Sequence, residues 1–241
     1  MKLFNVGALW FVVATSLALE MPPYIKPCPK DENFNKCAAE HGQEAIPFIA
    51  EGDEKYNIPN MKPLKIPQVN IPNKVVTVTL NDVEVYGLDK SQIKNMALDH
   101  ENYKASVTLH IDNVNVQGKY VIDGYIMLLP ISGNGGANIT FENGDYTYQF
   151  DWTLEKRDDG EEYAKIKDYK VDYELGGAHF KFDNLFNGNA FLGNRMNDFI
   201  NANWKYVTSI FEPTSKEMIG KICHDIITNF FEKIPYKQFF P

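Results

Sequence analysis

Motifs that announce chemistry are missing from this chain. It has no Gly-x-Ser-x-Gly elbow, no His-Glu-x-x-His pair, no P-loop and no dinucleotide fingerprint. The glycine-rich Gly133-Asn134-Gly135-Gly136 lacks the spacing and following helix of a phosphate cradle. These absences argue against an enzyme and against a bound cofactor. The five histidines, His41, His100, His110, His179 and His224, are scattered along the chain. His110 and His179 fall in the polar phase of their strands, so they read as surface residues and not as metal ligands. Acidic pairs such as Asp158-Asp159 carry no acid–base information without a cleft around them. Basic charge is also short, with 24 Lys and Arg against 32 Asp and Glu and a net charge of −8. Nucleic acid and standing attraction to anionic lipid both need clustered positive charge, so neither is an expected partner.

Long apolar runs are scarce as well. The one near the start, Val6 to Leu17, follows Lys2 and ends in Ser16-Leu17-Ala18, with small residues where a signal peptidase inspects the chain. It is shorter than the roughly 20 residues a membrane-spanning helix needs. The reading is a signal peptide over residues 1–18, cleaved after Ala18, followed by a chain at 19–241 with no stable membrane insertion. There are only three cysteines. In an oxidising compartment Cys28 and Cys37 are expected to pair, and their spacing is wrong for zinc. Cys223, on an apolar helical stripe, is left as an inert thiol. Asn138-Ile139-Thr140 is the one glycosylation sequon, beside a Gly-rich stretch that reads as an exposed turn, so Asn138 is the expected glycan site.

What is present is periodicity. A short, irregular helix is expected from Asn33 to about Ile49, interrupted by Gly42 and Pro47. Prolines at 59, 63, 67 and 72 then favour an extended edge segment. Tyr103, Ala105, Val107, Leu109 and Ile111 alternate with polar residues, which marks a half-buried antiparallel strand. After a turn expected at Asn113 the apolar phase resumes through Val114, Val116, Tyr120, Ile122 and Ile126. Beyond Gly124 both faces are apolar, as in a segment covered on both sides or at a cavity mouth. Tyr146 to Leu154 form another alternating run, reversing at Asp158-Asp159-Gly160. A strand from Tyr163 to Leu175 then turns at Gly176-Gly177 and returns through Ala178, Phe180 and Phe182. The result is a curved antiparallel meander. From Met196 the period becomes helical, and the stripe runs on past Pro213 through Ile219, Ile222, Cys223, Ile226, Ile227, Phe230 and Phe231. This reads as one long helix, broken or kinked at Pro213, packed into the concave face of the sheet.

Large apolar side chains thus crowd the concave faces. They are compatible with a cavity, but a solid core writes the same alternation. The segment Pro22-Pro23-Tyr24-Ile25-Lys26-Pro27-Cys28 with Asn35-x-Cys37 and Ile66-Pro67 resembles the N-terminal signature of the insect takeout and juvenile hormone-binding protein family. The stretch from Phe186-Asn187-Gly188-Asn189 through Met196-Asn197-x-Phe199-x-Asn201-x-Asn203-Trp204 is similar to its second signature, and the ending Phe239-Phe240-Pro241 is similar too.

That resemblance implies a single α+β domain of the tubular lipid-binding class. A long C-terminal helix would be wrapped by a highly curved antiparallel sheet, with an apolar tunnel between them and one N-terminal disulfide. The absence of a partner for Cys223 favours the takeout branch over hormone binders with a second disulfide. The implied function is a non-enzymatic, monomeric carrier secreted into haemolymph or another insect secretion, holding a terpenoid, fatty acid, quinone or similar lipid. Candidate tunnel residues are Val107, Leu109, Val116, Tyr120, Ile122, Tyr148, Phe150, Trp152, Phe180 and Phe182 on the sheet. Phe199, Ile200 and Trp204 join them from the helix, where they read first as core. Tyr120 or Tyr148 would supply a selective hydroxyl. The alternative is an extracellular interaction module that meets a cell-surface receptor without ligand, and a secreted esterase is a distant third.

Overall fold

The computed structural model describes residues 19–240, so the leader expected at 1–18 and Pro241 of the C-terminal signature lie outside the described residues. The chain opens with helix α1 (Phe34–Glu51), 18 residues that match the expected span and run unbroken through Gly42 and Pro47. Six strands follow: β1 (Leu64–Ile71), β2 (Val76–Tyr86), β3 (Gln92–Asp99), β4 (Lys104–Ile126), β5 (Leu129–Lys156) and β6 (Glu162–Phe182). They form one antiparallel sheet in the order β1-β2-β4-β5-β6, with β3 also on β4. Helices α2 (Ala190–Ala202), α3 (Trp204–Phe231) and the short α4 (Tyr236–Phe239) complete it.

Three expected turns are absent. β4 runs straight through Asn113, β5 through Gly133–Gly136, and β6 through Gly176–Gly177. At Asn113 and at Gly176–Gly177 the sequence signal was real but its cause was different. Inward residues normally recur every second position. In β4 the step from Ile111 to Val114 spans two exposed residues, and Phe141 to Gly144 in β5 does the same. In β6 the matching step runs from Leu175 to Ala178. These steps are aligned, since Ile111 pairs with Gly144 and Gly144 with Leu175, while Val114 pairs with Phe141 and Phe141 with Ala178. The same line continues into the neighbouring strands. β2 and β3 lie end to end along one edge of β4, separated at Gly87, where a Cβ would stand 2.1 Å from the Asn113 carbonyl oxygen. The phase slip is therefore a bend crossing the whole width of the sheet, of the kind aligned bulges impose.

The helical end breaks one residue before Trp204, at Asn203, and α3 passes through Pro213 unbroken. α2 runs back along β6, which is an edge of the sheet. Asn201 accepts from the Phe180 N–H at 2.7 Å and returns a bond to the Phe180 carbonyl at 2.9 Å. Asn197 does the same for Phe182, at 2.9 Å in both directions. Four helical residues rise about 6 Å and two strand residues about 6.6 Å, so asparagines at i and i+4 meet alternate strand residues. The asparagine-rich signature thus satisfies an otherwise open sheet edge.

Candidate functional site

The interior between α3 and the sheet has two solid ends. One is built on Tyr120, Ile122, Phe180, Phe182 and Ile200, each 6% exposed or less. The rings of Tyr120 and Phe182 lie 4.9 Å apart, and Phe199 and Trp204 pack against this cluster from partly buried positions. The other end holds Tyr148, Phe150, Trp152 and Phe231. Trp152 stacks on Phe240 at 6.3 Å, and Phe240 packs on Phe34 and Cys28 beside the Cys28–Cys37 disulfide. The C-terminal aromatics are therefore part of a structural plug.

Between these ends many apolar residues are only half-buried, although Ile111 and Val114 at the bend are buried. On the sheet the half-buried ones are Val107, Leu109 and Val116 of β4, Phe141 and Tyr146 of β5, and Tyr173, Leu175 and Ala178 of β6, grouped about the bend. On α3 they are Phe211, Met218, Ile219, Ile222, Cys223, Ile226 and Ile227. The helix is fastened along β6, and its apolar stripe packs against both clusters. Tyr173 and Ser215 share a hydrogen bond of 2.7 Å, and Lys216 pairs with Asp172 at 2.9 Å. Gly220 lets α3 approach Tyr169, whose Cε2 lies 2.7 Å from where a Cβ would be, and His224 stacks on the same ring at 4.9 Å.

The electrostatics of this middle zone are those of an interior. Cys223 keeps partial surface accessibility, yet burial pushes its thiol up to about 11. Tyr146 is likewise half-buried, and desolvation raises its phenol, with Tyr173 adding to the effect. A group on the outer surface would be accessible and hydrated, and a core group would be neither. The polar inventory is small. The Tyr148 hydroxyl is buried without a partner, facing Cys223 and Tyr169, and its ionisation is raised chiefly by desolvation. Tyr120 has its hydroxyl committed to the Asp183 carbonyl at 2.6 Å.

The thirteen residues singled out from sequence therefore do not converge on one place. Eight are buried in the two ends, Val107, Leu109 and Val116 face the middle, and Phe199 and Trp204 flank one end. The partly accessible group on α3, with Phe141, Tyr146 and Leu175, was not among those singled out. Its signal was the helical stripe itself, which sequence reading assigned to core. Asn138 is exposed and accepts from the Asn115 side chain at 2.7 Å, within β5 and not in a turn. A separate open cleft of about 400 Å³ is lined by Lys156, Glu161, Glu162, Tyr236 and Lys237, charges of both signs at the β5–β6 hairpin. Among the described residues Cys28, Cys37 and His41 form a group with metal-ligand spacing, but both sulfurs are taken by the disulfide. No helix among them is long and apolar enough to cross a membrane.

Among the described residues the architecture is a long helix in the groove of a curled, unclosed antiparallel sheet with an apolar inner wall. The chain belongs to the haemolymph juvenile hormone binding protein (JHBP) family, whose model matches residues 7–241. This is a family of carriers of hydrophobic ligands. The chain is similar to the circadian clock-controlled protein daywake of Drosophila melanogaster, 31% identical over 169 residues. That match covers 68% of this chain and 65% of the relative's length. Daywake of Drosophila yakuba is 24% identical over 230 residues, covering 91% of this chain and 88% of the relative. In three dimensions it resembles Takeout 1 of Epiphyas postvittana, with a TM-score of 0.81 and 27% identity over 88% of this chain and 97% of that one.

Proposed function

We propose that this protein is a secreted carrier that encloses an elongated apolar small molecule between α3 and the bend of the sheet. The observation that carries the reading is the group of partly accessible apolar side chains on the inward faces of β4–β6 and on α3, Leu109, Phe141, Leu175 and Ile222 among them. Cys223, partly accessible yet with its thiol raised by burial, lies on the same stripe of α3. Enclosing a ligand of roughly 15 carbons removes on the order of 400 Å² from water, or about 10 kcal/mol gross. Association and ordering take back several kcal/mol of that, which still leaves useful affinity without a polar contact. The unpartnered Tyr148 hydroxyl and the Tyr146 phenol offer hydrogen bonds to one oxygen of a terpenoid, fatty acid or quinone. The leader read at residues 1–18 and the disulfide are the support for secretion.

The test is native mass spectrometry of protein purified from a secreting insect cell, followed by solvent extraction and titration with a fluorescent long-chain fatty acid. Co-purifying apolar molecules, or saturable uptake at one site that Ile222→Trp blocks, is the expected result. Repeated recovery of empty protein that takes up nothing would sink the proposal. Receptor binding indifferent to loading would favour the interaction-module reading.

A further inference from the structure

The hairpin joining β4 to β5 is built against local preference. Ile126 pairs with Leu129, leaving a two-residue loop of Met127 and Leu128 with φ of 48° and 74°. Positive φ at both positions is a type I′ turn, for which Asn-Gly is the relaxed choice, and large side chains there cost conformational energy. Yet Leu128 is 92% exposed, and Tyr125, Met127 and Leu129 are 56%, 44% and 42% exposed. Val75, whose carbonyl accepts from the Tyr125 N–H at 2.8 Å, adds a half-exposed neighbour. The tip is firmly based, since Ile126 and Ile131 beneath it are each 1% exposed. α2 runs back along β6 from this same end, so its first turn presents Phe191, 70% exposed, beside the hairpin end of the sheet.

The surroundings indicate the occupant. No charged residue occurs from Gly124 to Phe141, in a chain whose charged fraction is 23%. The cations near this end are Lys74, which makes no ion pair among the described residues, and Arg195, which lies over the Phe191 ring at 5.8 Å. The patch is a convex point with Leu128 at its apex, and a convex apolar point is buried by entering a deformable medium. Phosphate-bearing headgroups suit the sparse cations around it, and the acidic balance of the whole chain disfavours an anionic surface. We infer that this end docks reversibly on a zwitterionic lipid surface. Met127, Leu128 and Leu129 enter the acyl boundary and Tyr125 lies at headgroup level. The purpose of docking, ligand exchange with the membrane, rests on the carrier reading above.

The test is flotation of the full chain with phosphatidylcholine vesicles, comparing wild type with Met127→Asn/Leu128→Gly. That variant installs the preferred turn residues and removes the apex, so it is expected to fold at least as stably. Its vesicle-bound fraction should fall at least about tenfold, the scale set by removing two large side chains from an apolar phase. Leu128→Asp, which retains the backbone demand, should lose binding equally. Wild type that does not float, or a variant that floats like wild type, would overturn docking. So would self-association that depends on Met127 and Leu128 and proceeds without lipid, which would make the tip an interface between copies. Uptake of the fluorescent fatty acid should be the same in both proteins. If neither takes it up, the carrier reading fails while flotation alone still decides docking.

Discussion

The same three strands, β4, β5 and β6, build two unlike interiors on either side of the bend and at it. Toward α2 the inward residues interlock, with Tyr120, Phe180 and Ile200 each 1% exposed or less. At the bend, Leu109, Phe141 and Leu175 keep partial accessibility although they point to the same side as the buried Ile111 and Val114. Composition does not separate the two zones, since both are aliphatic and aromatic. What differs is the covering helix. α2 is laced to the β6 backbone through Asn197 and Asn201, so its side chains reach the sheet directly. α3 is fixed by Tyr173, Asp172 and Tyr169 along β6, and its apolar stripe stays partly accessible.

The sharpest way to break this contrast is a pair of truncations read by chemical denaturation. Phe180→Ala in the solid end should cost about 3–5 kcal/mol, as a large aromatic removed from a close-packed site does. Ile222→Ala on α3 should cost less, about 1–2 kcal/mol, because its side chain is only partly buried and leaves a smaller cavity behind. Equal losses would mean that the middle is packed as tightly as the end.

Next comes Cys223. A thiol raised from 9.0 to about 11 has roughly a hundredfold less thiolate at pH 8 than an ordinary one. Alkylation by a small reagent should be slow there by that factor and quicken about tenfold per pH unit up to pH 10. Rapid reaction at pH 8 would place Cys223 in bulk solvent, and no reaction at pH 10 would place it in solid core.

Gly220→Ala tests the fastening of α3. Its new Cβ would crowd Tyr169 Cε2 at 2.7 Å, so a loss of about 1–3 kcal/mol is expected from overpacking. The same substitution made neutral by movement of Tyr169 would show that α3 is free to shift along β6.

The smallest effect lies on the outer face next to the bend. His110 Nδ1 lies 2.7 Å from Asp145 and Nε2 lies 3.1 Å from Asp112, and the Asp145 bond is the main cause of a raised imidazole pKa. Its folded value exceeds its unfolded one, so this contribution is complete below about 6.5, the ordinary value, and fades as pH rises through the folded pKa. His110→Gln should therefore lower Tm more at pH 5.5 than at pH 8.5. A pH-independent difference would show that the pair acts by packing alone.

Much of the fold was legible because strand and helix periods are local properties. The alternation from Tyr103 to Ile111, the reversal at Asp158-Asp159-Gly160 and the stripe from Ile219 to Phe231 each survive into the structure. The turns expected at Asn113 and Gly176–Gly177 failed for a shared reason. A change of phase looks the same in one strand whether the chain reverses or bulges, and only pairing with neighbours distinguishes them. Helix continuity through Pro213 was likewise a tertiary matter. The candidate wall was less legible still, because accessibility depends on how far a helix stands from a sheet, and no residue spacing encodes that distance.

The bend also limits how this chain can change its length. Each of its strands carries one surplus residue at the same level, and the inward faces on both sides agree only because the surpluses match. Deleting one residue at Asn143 alone would turn one arm of β5 inside out relative to β4 and β6. Single insertions and deletions are thus barred from this line, while the hairpin at Arg157–Glu161 can gain or lose residues freely. Lineages of this fold should vary in length at the ends of the sheet and keep count along its middle.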